Sequence, residues 1–370
     1  MFDAIDFQLA DGTDTRTLPK VLLHDHLDGG VRPQTIIELA AQAGVELPET
    51  DATALGEWFE TSANSGSLER YLETFAVVLS VTQTAEALER IAREAVLDLA
   101  DDGVIYAELR WAPEQHLREG LTLDAAIDAV QRGMQTGCEQ RPEIHAAQLI
   151  CVMRQHHSAL DVVRAALRHR STRLGDCAVV GVDLAGPEAG FPASDHAAAF
   201  ALAAAEFFPA TVHAGEGDGV DSIASALIDG RALRLGHGVR ITEDLELSQQ
   251  EDDHTTVTLG RVANWVRDRE ITLEVSPSSN LQTGIADDMR EHPFDLLYQL
   301  GFDVTVNTDN RLMSATTPSI ELVRLSDAFG YSLDDLEEFQ LNAAAATFLT
   351  QEDRTELAER IEAGFAQARG

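Results

Sequence analysis

Short apolar runs recur along the chain at 21–23, 104–109, 146–152, 178–183, 210–212, 232–235, 271–275 and 302–306. Each is rich in aliphatic and β-branched residues on both faces, the pattern of a strand buried in a parallel sheet. Longer stretches with apolar residues at three-and-four spacing separate them, such as 124–130 and 221–230, the latter closing on Gly230. Eight strands with crossover helices between them predict an α/β fold, a closed (β/α)8 TIM barrel. One domain is expected over residues 1–370, with the barrel at about 20–330. The first gap is long and carries helical patterns at 35–43 and 68–79 with a Ser/Gly/Asn-rich stretch at 61–67. It is read as a helical lid insertion after strand 1, about 35–100, lying over the C-terminal mouth. Residues 332–370 read as an acidic helical tail.

Charge narrows the partners. The 63 acidic and 27 basic residues give a formal net charge of −36, which argues against nucleic acid or an anionic membrane surface as partner. The surplus acids are assigned to the solvated surface. Lys20 is the one lysine, so a Schiff-base or carbamylated lysine has only that residue to draw on. Cys138, Cys151 and Cys177 are odd in number and form no C-x-x-C pair, which points to three small buried residues in a reducing compartment. The N-terminus is acidic without a signal pattern. The longest apolar run, 197–205, is far short of the roughly 20 residues that span a bilayer. A soluble cytoplasmic protein is expected, of unspecified oligomeric state.

The strand ends carry the chemistry. Strand 1 closes on His24-Asp25-His26, and residues i and i+2 of a strand point to one side. Strand 5 ends in His213-Ala-Gly-Glu216, strand 6 in Gly236-His237-Gly238 and strand 8 in Asn307-Thr308-Asp309-Asn310. An H-x-H alone is a weak signal. In a barrel, however, every strand's C-terminal end opens on one face. His24, His26, His213, His237 and Asp309 therefore meet at a single mouth, where neutral imidazoles and a carboxylate make a natural zinc site.

These motifs, with His26-Leu-Asp28-Gly and Ser276-Pro-x-Ser-Asn280, resemble in order those of the adenosine deaminase family of metal-dependent amidohydrolase barrels. The resemblance implies one Zn²⁺ per chain held by His24, His26, His213 and Asp309, activating a water at neutral pH. It implies Glu216 as proton shuttle to purine N1, with His237 and Asp309 orienting the water. Related barrels bridge two metals with a carbamylated mid-barrel lysine, and Lys20 precedes strand 1, so one metal is expected.

The implied substrate is a small purine nucleoside, adenosine and also 2′-deoxyadenosine, converted to inosine or deoxyinosine and ammonia. Asp28 would meet the sugar's 5′-hydroxyl and the Gly186 backbone N–H purine N3, and His26 is expected to touch the substrate as well. Asn310 stands where the family usually has Asp, and its amide would donate to N7 at any pH. Arg311 replaces the family's usual Pro and has no evident reason in the sequence. Adenine, aminodeoxyfutalosine and AMP-type nucleotides are the alternative substrates, with Arg32 the one candidate phosphate partner. A non-catalytic nucleoside-binding barrel would be expected to lack a ligand or the Glu, and none is missing. An amide or phosphotriester hydrolase on this scaffold would favour the bridging lysine. The H-x-E and P-C-x-x-C pattern of cytidine-type zinc deaminases is absent.

Overall fold

Eight parallel strands among the described residues run from the first strand, β1 (Lys20–His26), through β2 (Val104–Trp111), β3 (His145–Met153), β4 (Val179–Ala185), β5 (Thr211–Ala214), β6 (Arg234–His237) and β7 (Thr272–Val275) to β8 (Val304–Val306). The computed structural model describes residues 7–171, 173–249 and 255–370, so the acidic segment 1–6, read as lacking a signal pattern, lies outside the described residues. The strands pair in two four-stranded sheets, 1-2-3-4 and 8-7-6-5. Bridges Val182–Ala210 and Asp25–Asp309 join the sheets at both seams. The second seam is held by His26 N–H to the Asp309 carbonyl at 2.7 Å and Asp309 N–H to the His24 carbonyl at 3.0 Å. The barrel is closed in chain order, and that closure brings the tips of β1 and β8 together.

All eight expected strands are present. An antiparallel hairpin, Leu245–Gln249 with Thr255–Leu259, was not anticipated. Between β1 and β2 lie five helices: α1 (Pro33–Ala43), α2 (Ala52–Ala63), α3 (Leu68–Glu73), α4 (Phe75–Val81) and α5 (Ala85–Asp101). The single helix expected over 68–79 is two, broken at Thr74, whose hydroxyl donates back to the Tyr71 carbonyl at 2.7 Å instead of leaving the helix ladder undisturbed. The tail is two helices, Leu333–Ala346 and Gln351–Arg369. The turn between them plugs the bottom of the barrel: Phe348 N–H donates to Glu108 at 2.8 Å and its ring lies 3.7 Å under the Arg234 guanidinium. Among the described residues no helix is long and apolar enough to cross a membrane.

Apolar side chains of the strands pack outward on the helices, while the barrel interior is charged. Arg234 bonds Glu108 and Glu274, each at 2.6 Å, and Arg110 bonds Glu274 at 2.6 Å and Asp183 at 3.0 Å. All five are buried. Buried charge is tolerable only when paired and hydrogen-bonded, as here.

Candidate active site

His24 and His26 lie at the C-terminal end of β1, His213 is next to last in β5, and Asp309 follows β8. One donor atom of each lies within 4.8 Å of all the others. His24 Nε2 and His26 Nε2 stand 3.3 and 3.4 Å from Asp309 Oδ1, and His26 Nε2 is 3.1 Å from His213 Nε2. Burial, against the opposing pull of Asp309 and helped by His213, His24 and Arg110, brings the His26 imidazole down to about 3, so it is neutral, the ligating form. Three imidazole nitrogens and a carboxylate oxygen converging this closely make an arrangement that a cation stabilises. His24 Nε2 is buried with no hydrogen-bond partner, which makes the same point. The residues fit a bound divalent metal.

What lies behind the imidazoles explains their orientation. His24 Nδ1 is 3.1 Å from Glu274 Oε2, and His213 Nδ1 is 3.1 Å from Asp183 Oδ1. A carboxylate accepts the Nδ1 proton and leaves the Nε2 lone pair facing the centre. Arg110 ties the two carboxylates together and also donates to the Leu23 carbonyl at 2.7 Å. Ser279 donates to Asp309 Oδ2 at 2.6 Å, leaving Oδ1 for the centre. Both Asp309 and His237 hold left-handed backbone, φ +56° and +61°, strain of the kind that concentrates at functional sites.

Glu216 and His237 form the wall beside this group, with Glu216 Oε2 3.4 Å from His237 Nε2. Burial, reinforced by the charges of Asp309 and Glu188, raises the Glu216 carboxyl well above its ordinary range and so favours its protonated form. Thr283 donates to its other oxygen at 3.1 Å. Its loop is fixed by Glu188, whose carboxylate accepts the backbone N–H groups of Gly215, Glu216, Gly217 and Asp218 at 2.7–3.1 Å.

A cavity of about 450 Å³ opens on His26 and is lined by Asp28, Leu72, Phe75, Cys151, Met153 and Gly186 among others. Asp28 Oδ1 is buried and unpartnered, and Oδ2 lies 3.7 Å from His116 Nε2. Gly186 has φ +101°, and a Cβ there would meet Gln155 Oε1 at 2.6 Å. Gly186→Ala is therefore expected to cost about 1–2 kcal/mol in stability and to raise KM more than it lowers kcat. Steady-state kinetics with a denaturant curve check this; an unchanged KM would remove Gly186 from the binding wall.

A sequence model of the adenosine deaminase family matches residues 19–364. Adenosine deaminase 1 of Streptomyces coelicolor is 50% identical over 359 residues, spanning 95% of this chain and 88% of that one. The chain belongs to the adenosine deaminase family. The adenosine deaminase of Mycobacteroides abscessus is 47% identical over 354 residues, covering 94% of this chain and 95% of the relative. A crystal structure of a zinc-bound amidohydrolase from Burkholderia ambifaria shares the fold, with a TM-score of 0.82 at 22% identity, over 96% of this chain and 92% of that one.

Within this family fold the sequence-predicted residues separate into those that converge and those that stand apart. His24, His26, His213, Asp309, Glu216 and His237 converge, and Asp28 and Gly186 line the adjoining cavity. Asn310 is buried with its carboxamide packed on Gly29, and its Oδ1 is unpartnered. Arg311, unexplained in the sequence, is buried and donates to Asp25 at 2.9 Å, while Thr308 donates to the same oxygen at 2.8 Å. It neutralises a carboxylate buried inside H-x-H and locks β1 to the β8 tip. Arg32 is not a phosphate partner at this cavity: it holds Asp98 through Nε and Nη2 and lines a separate cleft. Lys20 sits at the opposite end of β1, roughly 20 Å from His26 at the usual strand rise, its Nζ donating to the Thr15 and Leu18 carbonyls. Of the cysteines, Cys138 is only half-buried, its sulfur 3.8 Å from that of Cys177, and Cys151 lines the cavity. The supporting residues Arg110, Asp183, Glu188 and Glu274 were missed, and Asn280 was named in its motif without a role. Charged residues at alternate positions of apolar strands, as in Glu108-Leu-Arg110, were the available signal.

Proposed function

We propose that this chain is a zinc-dependent adenosine deaminase that converts adenosine and 2′-deoxyadenosine to inosine and deoxyinosine with release of ammonia. The observation that carries this reading is a buried Glu216 beside three convergent imidazoles and Asp309, its carboxyl pushed upward by that burial. His24, His26, His213 and Asp309 would hold one zinc ion, which when bound supplies an activated water at neutral pH. Glu216 gives its proton to purine N1 as water oxygen adds to C6, so negative charge does not build on the ring. His237 and Asp309 orient the water; one of its protons goes to the 6-amino group that leaves as ammonia, and the other, left on the C6 hydroxyl, passes to Glu216 as the carbonyl forms and restores the acid. Asp28 and His26 accept and position the 5′-hydroxyl, the Gly186 N–H meets N3, and Asn310 serves N7. The five-helix insertion acts as the lid, with Leu72 and Phe75 of α3 and α4 over the cavity.

Charge selects the nucleoside. Glu69 and Glu73 share the cavity lining with Arg118, leaving a rim of net negative charge that disfavours a phosphate. Loss of the adenine absorbance band, followed with adenosine, adenine and AMP side by side, tests this. Adenosine is expected to be turned over fastest, and faster turnover of adenine or AMP would overturn it. Metal analysis of the same preparation should find one zinc per chain, and stripping with a chelator should abolish turnover.

A further inference from the structure

His292 lies outside the motifs, in the turn before the helix Phe294–Gln299, and is fully buried. The backbone N–H of Phe294 donates to its Nδ1 at 3.1 Å. A backbone amide can only donate, so Nδ1 carries a lone pair. Burial lowers the ring to about 3, so it is neutral and its single proton is on Nε2. Nε2 stands 3.2 Å from Asn280 Oδ1. The carboxamide must therefore turn its oxygen to His292 and its NH2 to the other side, where Nδ2 meets His237 Nδ1 at 3.0 Å. That nitrogen must accept.

We infer that His292 is a positioning residue which, through the Asn280 carboxamide, fixes the proton of His237 on Nε2, facing Glu216 and the attacking water. The inference deepens the deaminase reading, on which the water's place rests. It also decides a point of metal chemistry. Glu216, His237 and Asp309 form a second cluster with donor atoms within 4.8 Å. A His237 whose Nε2 is protonated offers that cluster no lone pair, so it is not a second metal site.

Two-bond proton–nitrogen correlation spectra of isotope-labelled, zinc-loaded protein distinguish the two imidazole tautomers. Wild-type His237 and His292 are both expected in the Nε2–H form, signals being assigned by their loss in His237→Gln and His292→Phe. His292→Phe keeps the ring and removes the bond to Asn280; it should give a mixed His237 pattern and lower kcat by about 10-fold or more with KM nearly unchanged. His292→Gln, which can accept from Phe294 and donate to Asn280, should restore both. Asn280→Asp faces both rings with acceptors, so His237 should shift its proton to Nδ1 and the chain should bind more than one zinc. A wild-type His237 protonated on Nδ1 overturns the inference, and so does an unchanged pattern in both His292→Phe and Asn280→Asp. The wild-type spectrum needs neither substrate nor a folded variant. Inactivity toward adenosine with His237 in the Nε2–H form sinks the functional reading alone, whereas an active enzyme with Nδ1–H sinks this inference alone.

Discussion

Glu216→Gln is expected to lower kcat toward adenosine by about 10²–10⁴-fold, the range a single general acid supplies, while leaving zinc content unchanged. The separation follows from the geometry. Glu216 is not in the His24, His26, His213 and Asp309 group, and the Gln amide keeps an acceptor for Thr283. It cannot give a proton to N1 and then take one back. The wild-type pH profile carries the same signature. Burial raises the Glu216 carboxyl above its ordinary range, so the active, protonated form persists beyond the pH at which an ordinary carboxyl ionises, and activity falls as pH rises through the raised value. In the variant that alkaline limb should vanish. Turnover within tenfold of wild type, at full zinc content, would assign the proton to another group.

The residues that would hold metal and move protons were legible because they sit where a barrel must bring them. Each lies at the C-terminal end of a strand or just past it, and closure of the sheet decides the rest. His24-x-His26 needed only the strand period, and His213 and Asp309 only the order of strands. What the sequence did not disclose is the layer beneath. Asp183 and Glu274 sit inside apolar strands, and nothing local tells whether a carboxylate there faces a helix or the barrel axis until register is known. Glu188 is less legible still, since its four partners are backbone N–H groups with no side-chain signature. Arg311 looked like a departure from the family pattern because its partner, Asp25, lies 286 residues earlier and meets it only through the β1–β8 seam.

Arg110→Met should destabilise the fold by about 3–5 kcal/mol, the cost of stranding buried charge, and weaken zinc binding by about 10–100-fold. Arg110 joins the carboxylates behind His24 and His213, bonding Glu274 at 2.6 Å and Asp183 at 3.0 Å. Burial opposes ionisation of both, yet Arg110, with Arg234 and His24 at Glu274 and with His213 at Asp183, holds them well below the ordinary carboxylate range. A depressed native value means stability that is present above the unfolded-state value and lost as pH falls toward the native one. Wild type should therefore lose this contribution on acidification below the ordinary carboxylate range. Without the guanidinium, both carboxyls rise toward protonation, and that acid limb should flatten. The same change disturbs the acceptors that orient two imidazoles, which is why metal affinity falls along with stability. Denaturant midpoints across pH, with zinc retention against a graded chelator, measure both effects. A midpoint within about 1 kcal/mol of wild type at neutral pH, together with unchanged zinc retention, would mean that Asp183 and Glu274 do not depend on Arg110, because a guanidinium linking two buried anions cannot be removed silently unless water or Arg234 already does its work.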